Sequence, residues 1–330
     1  MVALRNMGRV TPPPYSFAQA FSAWHFDAVS AVFVAALGAF YLWRVRRAFK
    51  AGDGWPWWRG AAFFLLGLGG TVVCTMSSLA VYQHAVPWAF AVQITLLMTV
   101  VPVALAAGDP IGLVRAGCSG SSLSVLDRML NGRIARVLTF PLVAAVLGVV
   151  VQMLLFFGPF LRPALEHGWV MDLVYLVALV AGCLLAWPLL GQDLLPDWCT
   201  PPLRMLFAAL DGLLDAIPGI ALTAAGTLIA DGYFKAHRPW WTSNVLADQH
   251  LAGGLAVAFS EVVAIPLLVM LFFQWARSEL RVARVPGSTG SVDATSVEPR
   301  LEEPVLERPW WETDPGFGRR TEEYRGRSDR

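Results

Sequence analysis

Charged side chains are scarce in this sequence. Only 15% of its 330 residues are Asp, Glu, Lys or Arg, whereas 56% are hydrophobic and the mean hydropathy is +0.55. An average soluble domain has roughly 25% charged residues. The net charge of +1 says nothing about nucleic acid, and no basic run interleaved with aromatic residues suggests it, so no nucleic-acid partner is expected. The composition predicts a membrane protein.

Cysteine is also scarce, and the short motifs of common enzymes are missing. No two of the four cysteines have the Cys-x-x-Cys spacing of a redox or zinc site. The sequence contains no Walker A loop, no dinucleotide fingerprint and no His-Glu-x-x-His pattern. No nucleophile and base recur at spacings that suggest a catalytic triad. We therefore predict that the protein is not an enzyme.

Long apolar runs are what the sequence does contain. A bilayer core about 30 Å thick needs about 20 apolar residues per helix. By that length, the sequence predicts an all-α, polytopic membrane bundle of about seven transmembrane helices, in a domain covering residues 27–276. The predicted spans are 27–43, 60–82, 88–107, 138–160, 169–190, 203–230 and 251–275.

Basic residues predict the orientation of these spans. Most Lys and Arg residues fall after the first span, after the third, before the sixth and after the seventh. Because such residues favour cytoplasmic loops, the N-terminus is predicted to lie outside and the C-terminus in the cytoplasm. Residues 1–26 then form an external segment. Residues 277–330, rich in Pro, Gly and charge, are predicted to be a disordered cytoplasmic tail.

Four acidic residues fall within the predicted spans: Asp172, Asp211, Asp215 and Glu261. Such residues are costly in lipid and usually face the bundle interior or a water-filled cavity. Asp211 and Asp215 lie on one face of a helix because they are four residues apart, and Pro218 just beyond them predicts a kink. Asp172 and Asp211 could be interfacial. Asp215 and Glu261 are deeper and are the stronger candidates for a buried polar site.

The five histidines all fall at or beyond the outer ends of the predicted spans, and none falls within a span. Imidazole suits copper and zinc. His84 with His25 or His250 is therefore a candidate metal site. The alternative is that these side chains are only solvated or hydrogen-bonded at the membrane surface.

Five stretches, in order, resemble the CtaG family of cytochrome c oxidase assembly proteins, a multi-spanning membrane family. They are "WHFDAVSAVFVAALGAFYLWRVRR", "GWPWWRGAAFFLLGLG", "PVALAAGDPIGLVR", "LAWPLLGQDLLPDWCTPPLRML" and "DQHLAGGLAVAFSE", and the resemblance extends over most of residues 24–281. The residues that match the family's frame include Gly108, Pro110, Asp248, Gln249, Gly253 and Gly254. The resemblance implies a bacterial plasma-membrane protein linked to copper insertion, with oxidase subunits or copper-delivery proteins as partners.

The family's histidines are replaced in this chain. Its His-Met-x-x-His motif falls on "FAVQI", and the other histidines fall on apolar or acidic residues. The residues at the family's histidine positions are Phe90, Ile94, Phe140, Val177 and Asp215. The chain thus resembles a histidine-poor member, which weakens the expectation that it binds copper.

Two classes of function remain open. The first is an assembly factor that holds oxidase subunits or a copper-delivering complex through helix packing, which small residues such as Gly253 and Gly254 would favour. The second is a transporter of protons or metal cations that uses Asp215 and Glu261. Acids facing one polar cavity would favour transport, and acids tied to nearby donors would favour a structural network.

Overall fold

The computed structural model describes residues 12–50, 52, 54–116, 132, 137, 140–190 and 200–283. The chain divides into two units, Met1–Val282 and Ala283–Arg330, and the structure described below is that of the first. Its described residues form helices and no strands. The seven main helices are α1 (Ala28–Lys50), α2 (Trp57–Tyr82), α3 (Pro87–Arg115), α4 (Pro141–Phe157), α5 (Gly168–Leu190), α6 (Pro201–Ala224) and α7 (Val245–Ala283).

The predicted all-α polytopic class is confirmed. Within the described part of the chain, six helices are long and apolar enough to cross a membrane, and α4 is a shorter apolar helix of 17 residues. At 1.5 Å per residue α4 rises about 25 Å, which is the lower limit for a transmembrane helix. The orientation of the termini stays a prediction.

Helix α7 is longer than the predicted span at both ends. It begins at Val245, where the side chain of Asn244 accepts hydrogen bonds from two backbone N–H groups at 3.0 and 3.2 Å. It continues to Ala283, into the predicted tail. His250 therefore lies within α7, and the prediction that the spans contain no histidine is wrong there. A polar cap, and not the edge of the apolar run, determines where this helix starts. The rest of the predicted tail lies outside the described residues.

Helix α3 is interrupted beside a proline. Pro102 has no backbone N–H, and its ring cannot fit against the carbonyl four residues earlier. That carbonyl belongs to Met98, and the helix breaks at the next residue, Thr99, with φ −114° and ψ −71°. In contrast, α6 continues through Pro218 without interruption. Pro102 therefore marks a break in α3, whereas Pro218 does not mark a break in α6.

The most buried span is α3, and α5 packs closely against it. In the most apolar 18-residue stretch of α3, 83% of residues are buried. A Cβ atom on Gly182 of α5 would overlap the Met98 carbonyl oxygen and would lie 2.5 Å from Pro102 Cγ. Glycine at position 182 thus allows α5 to approach α3 at the Met98 carbonyl. This carbonyl lacks its usual helical hydrogen bond because Pro102 has no N–H.

Helices α6 and α7 also approach closely through glycines. A Cβ on Gly253 would overlap the Thr223 hydroxyl and the Gly219 carbonyl oxygen, and a Cβ on Gly219 would lie 2.7 Å from Val257 Cγ2. Small residues at such crossings allow the backbones of membrane helices to pack closely. Thr223 donates a hydrogen bond of 3.0 Å back to Gly219 within α6. The crossing at Gly253 therefore fixes α7 against α6.

We expect Gly253→Ala to destabilise the isolated protein, because its Cβ would meet the α6 backbone. The loss should be about 1–3 kcal/mol, the usual cost of overpacking, and would appear as a lower thermal midpoint in detergent. Gly254→Ala is the matched control, since no atom lies within 4 Å of a Cβ at that position. It should be neutral or slightly stabilising, because alanine favours a helix. Equal midpoints for the two variants would contradict the close crossing.

Candidate functional site

The two acidic residues of α6 are buried within the bundle. Asp211 is only 6% exposed, whereas Asp215 is partly buried. The sequence predicted that Asp215 lies deeper along the span than Asp211, and this order of membrane depth stays a prediction. Burial is a separate property, because it depends on which side of α6 its neighbours cover.

No residue in the described part of the chain donates a hydrogen bond to either carboxyl group. Asp215 lies near the side of α6 that contacts α7, between the contacts of Gly212 with Ala264 and of Gly219 with Val257. Asp211 is close enough for its charge to interact with that of Asp215. The pair therefore offers acceptor oxygens inside the bundle, and they could take a proton, a hydrogen-bond donor or a cation.

Glu261 does not join this pair. Its side chain is exposed on the outside of α7, beside the exposed apolar side chains of Val262 and Ile265. The prediction that it lies in a buried polar site is wrong. The reason is that α7 is covered on one side only: 22% of its most apolar stretch is buried. The side chain of the preceding residue, Ser260, faces the inside of the bundle and is 3% exposed.

Asp172, near the beginning of α5, lies close to Asp27, which precedes α1, so that the two carboxyl groups interact electrostatically. The Asp27 carboxylate accepts hydrogen bonds from the backbone N–H groups of Val29 and Ser30, at 3.3 and 2.9 Å. Asp27 thus caps the beginning of α1, and Asp172 places a second acidic group beside that cap.

A buried polar network that the sequence analysis missed joins α2, α3 and α5. Gln93 is fully buried and donates hydrogen bonds to the Cys74 carbonyl and, at 2.8 Å, to the Tyr175 hydroxyl. Tyr175 donates in turn to Gln83 Oε1 at 2.9 Å. The sequence did contain a signal for this network, because Gln93 lies within an otherwise apolar span. A buried amide side chain needs hydrogen-bond partners.

Three of the histidines lie near one another on one side of the bundle. His84 lies within electrostatic reach of His25 and His237, while His250 Nε2 is 3.1 Å from the Ala225 carbonyl oxygen. Among the residues that the structure describes, no group of three or more His, Cys, Asp or Glu residues could hold a metal ion. The candidate site of His84 with His25 or His250 therefore stays a prediction: His25 lies near His84, whereas His250 is beside the Ala225 carbonyl.

The positions that match histidines of the family have varied surroundings. Phe90 and Ile94 are fully buried in the hydrophobic core. Phe140 packs edge to face against Phe207, with ring centroids 5.7 Å apart, and Val177 is on the exposed side of α5. Apart from Asp215, these positions carry no metal ligand.

The frame residues around Gly108 hold three helices together. The Gly108 carbonyl accepts a hydrogen bond of 2.9 Å from the Tyr41 hydroxyl of α1. Asp109, at φ 48°, accepts hydrogen bonds from the Gly112 N–H at 2.9 Å and from Arg59 of α2 at 2.8 Å. Pro110 begins the last helical segment of α3. The contacts around Gly108 and the helix start at Pro110 therefore account for this part of the motif that matches the family.

Arg44 strengthens the same junction, and the sequence analysis did not single it out. Its guanidinium group is buried and donates hydrogen bonds to the carbonyls of Leu113 and Val114. These carbonyls lie near the end of α3, where the helix leaves them without helical partners. A buried charge needs such acceptors. Arg44 therefore ties the basic end of α1 to that of α3.

The frame residues at the beginning of α7 also have structural tasks. Gln249 is fully buried; it donates to the Thr227 carbonyl at 2.9 Å and accepts from the Ile229 N–H at 2.8 Å. It thus attaches the loop after α6 to α7. Asp248 lies in the first turn of α7, where a negative charge is favourable to the helix dipole.

These observations define a helical membrane protein whose buried polar side chains mostly join helices, with the α6 acid pair and Glu261 left without a hydrogen-bond donor among the described residues. The chain belongs to the family described as cytochrome c oxidase caa3 assembly factor (Caa3_CtaG), whose model matches residues 39–278. The family resemblance is confirmed.

The chain is also similar to curated proteins of mycobacteria that are named only as uncharacterized. It is 28% identical over 289 residues to proteins of Mycobacterium bovis and Mycobacterium tuberculosis, and 26% identical over 293 residues to one of Mycobacterium leprae. Each match covers 84% of this chain and 43% of the relative. The chain therefore spans less than half the length of these relatives. No solved structure matches it. Its helices, family and relatives identify a multi-pass bacterial membrane protein.

The closeness of Asp172 and Asp27 can be tested by substitution. We expect Asp172→Asn to leave the thermal midpoint unchanged or to raise it, because the amide removes a like charge beside Asp27 and can donate a hydrogen bond to its carboxylate. Asp172→Leu should be less stable than Asp172→Asn by about 1 kcal/mol, because leucine cannot donate that bond. Thermal unfolding in detergent at neutral pH measures both. Equal midpoints for the two variants would show that position 172 makes no hydrogen bond to Asp27.

Proposed function

We propose that this protein assists the assembly of a respiratory cytochrome c oxidase by direct contact within the bacterial membrane. The observation that carries this proposal is membership of the oxidase assembly family over residues 39–278. Its contacts would be with oxidase subunits, with a copper-delivering protein, or with both.

The arrangement of polar residues supports contact as the mode of action. The buried polar side chains Gln93, Tyr175 and Arg44 are hydrogen-bonded to neighbouring helices. They stabilise the bundle and leave no evident set of groups for bond making or breaking. The outer helices α1 and α7 are each only 22% buried in their most apolar stretch. Both therefore present wide apolar surfaces to lipid or to a partner helix.

In this proposal, a partner protein binds the copper that is inserted into the oxidase, and this chain does not. The positions of two family histidines are occupied by Phe90 and Ile94, which are fully buried among apolar side chains. Neither side chain can bind Cu(I), which favours thiolate, thioether or imidazole ligands. The protein would then bring the oxidase and a copper-binding protein together without holding the metal itself.

Transport of a proton or a metal cation is less well supported. Asp215 is partly buried on the side of α6 near α7, whereas Glu261 is exposed on the outside of α7. Two acids that bind one transported ion would need to face a common cavity. Their different orientations favour the assembly role.

Deletion of the gene in its native bacterium tests the proposed function. We expect the haem absorbance and activity of the oxidase to fall to those of a strain that lacks the oxidase, and the full-length gene to restore both. A double variant, Asp211→Asn with Asp215→Asn, should restore assembly as well, because the amides preserve size and polarity. Normal oxidase in the deletion strain would contradict the proposal. Failure of the double variant, if it is stably inserted, would favour the transport alternative.

Copper loading tests where the metal is held. After loading with Cu(I) and removal of free metal, we expect the purified full-length protein to retain less than one copper per chain. His84→Ala and Asp215→Ala should not change that amount, because neither residue belongs to a group of three or more possible metal ligands in the described part of the chain. Stoichiometric copper that is lost in either variant would instead place a copper site in this chain.

A further inference from the structure

We propose that the exposed face of α7 around Glu261 docks onto a transmembrane helix of an oxidase subunit, and that this helix carries a basic side chain at the depth of Glu261. This inference rests on the proposed function, because it names the surface through which the assembly factor would meet its partner.

The exposed residues of α7 form one continuous line along the helix. They recur every three or four residues, which is the spacing of one helix face. The outer face of α7 is defined here by six exposed residues: Leu251, Gly254, Ala258, Glu261, Ile265 and Val269. Glu261 is the only charged residue among them. The outer face is therefore apolar except at a single carboxyl group.

That carboxyl group lies at mid-depth in the span. The span runs from Val245 to Arg277, and Glu261 lies midway, 16 residues from each end. At 1.5 Å per residue it is about 24 Å from either end. The nearest lipid headgroups are about 15 Å from the centre of a bilayer. A glutamate side chain is too short to reach them, so it cannot escape the hydrocarbon region as a longer side chain near a helix end does.

Lipid alone therefore leaves Glu261 without a partner. Acyl chains offer no hydrogen bonds and no charge, and no residue in the described part of the chain donates to the Glu261 carboxyl. Ionisable residues inside a membrane are usually paired. The charge-complementary partner is a basic side chain on another helix, because an ion pair with hydrogen bonds is the strongest interaction that a carboxylate can form there.

A second copy of this chain would not supply a basic side chain from its described spans at the depth of Glu261. The basic residues in its described spans are at the helix ends, such as Arg59, Arg204 and Arg277. Arg44, which lies farther from its helix end, is buried and donates to carbonyls near the end of α3. Two copies packed through α7 would thus present no cation at the depth of Glu261. The partner is therefore a different protein.

The outer face of α7 also has space for close helix packing beside Glu261. Gly254 and Ala258 are four residues apart, the spacing of small residues at close membrane helix contacts. A Cβ on Gly254 would have no atom within 4 Å, so nothing in the described chain fills this position. The small residues would give van der Waals contact and Glu261 would give specificity, because a partner without a donor would leave the carboxyl unpaired.

Co-purification tests the docking surface. The full-length tagged protein, as unchanged chain or variant, is expressed in the deletion strain, solubilised in mild detergent and isolated, and the oxidase subunits that accompany it are quantified. We expect Glu261→Leu and Glu261→Gln each to reduce the co-purified oxidase at least about tenfold, because neither can form the ion pair. Val269→Leu, on the same face but without a charge to lose, is the control and should retain the oxidase. All variants should keep the thermal midpoint of the unchanged protein, since Glu261 is exposed and no residue in the described part of the chain forms a hydrogen bond with it.

Site-specific cross-linking identifies the occupant. A photoreactive phenylalanine analogue in place of Val262, at the edge of the outer face, should form an adduct with an oxidase span that contains a Lys or Arg residue. An adduct only with a second copy of this chain would overturn the proposal. So would the absence of a protein adduct, or full co-purification by Glu261→Gln, which would show that no ion pair is needed.

The failure of this inference can be distinguished from failure of the proposed function. If the deletion strain assembles normal oxidase, the proposed function is wrong and the inference falls with it. If the deletion strain lacks oxidase but Glu261→Leu restores assembly and co-purification fully, the assembly role stands and only the docking surface is wrong.

Discussion

The contact between α3 and α5 at the Met98 carbonyl is the interaction on which the rest of the bundle depends. Pro102 prevents that carbonyl from making its usual helical hydrogen bond, and the break at Thr99 follows. An unpaired backbone group is costly in a membrane, so it is covered by a close contact instead of facing lipid. Only glycine fits at position 182, where any Cβ would overlap the Met98 oxygen. Helix α2 packs against α3, and α4 packs against α5.

Polar side chains in this bundle mostly serve to connect helices. Gln93, Tyr175 and Gln83 join α2, α3 and α5, while Arg44 joins α1 to the end of α3. Such bonds are expected where lipid cannot supply partners. Against this background, the acid pair in α6 and the single carboxyl on the outside of α7 are exceptions. Their unpaired state is what directs attention to partners outside the described chain.

The predicted absence of the family's histidines is compatible with the proposed assembly role. A protein that acts by contact needs a defined surface and a stable frame, and the frame residues Gly108, Gln249 and Gly253 all make structural contacts in this bundle. Phe90 and Ile94, at two positions that the resemblance assigns to histidines, are fully buried and do not belong to that frame. The proposed division of labour leaves metal chemistry to a partner and recognition to this chain.

The sequence by itself determined the membrane class, the approximate spans, the family, and the spacing that puts Asp211 and Asp215 on one face of α6. These properties depend on hydrophobicity and on residues close together in the chain. Only the tertiary structure decided that Asp211 is the more buried of the pair, that Glu261 faces outward, that Arg44 is buried, and that α7 starts at Val245. The direction that a side chain faces depends on which helices cover it. Those contacts, such as Gly219 with Gly253 or Gly182 with Met98, join residues far apart in the sequence.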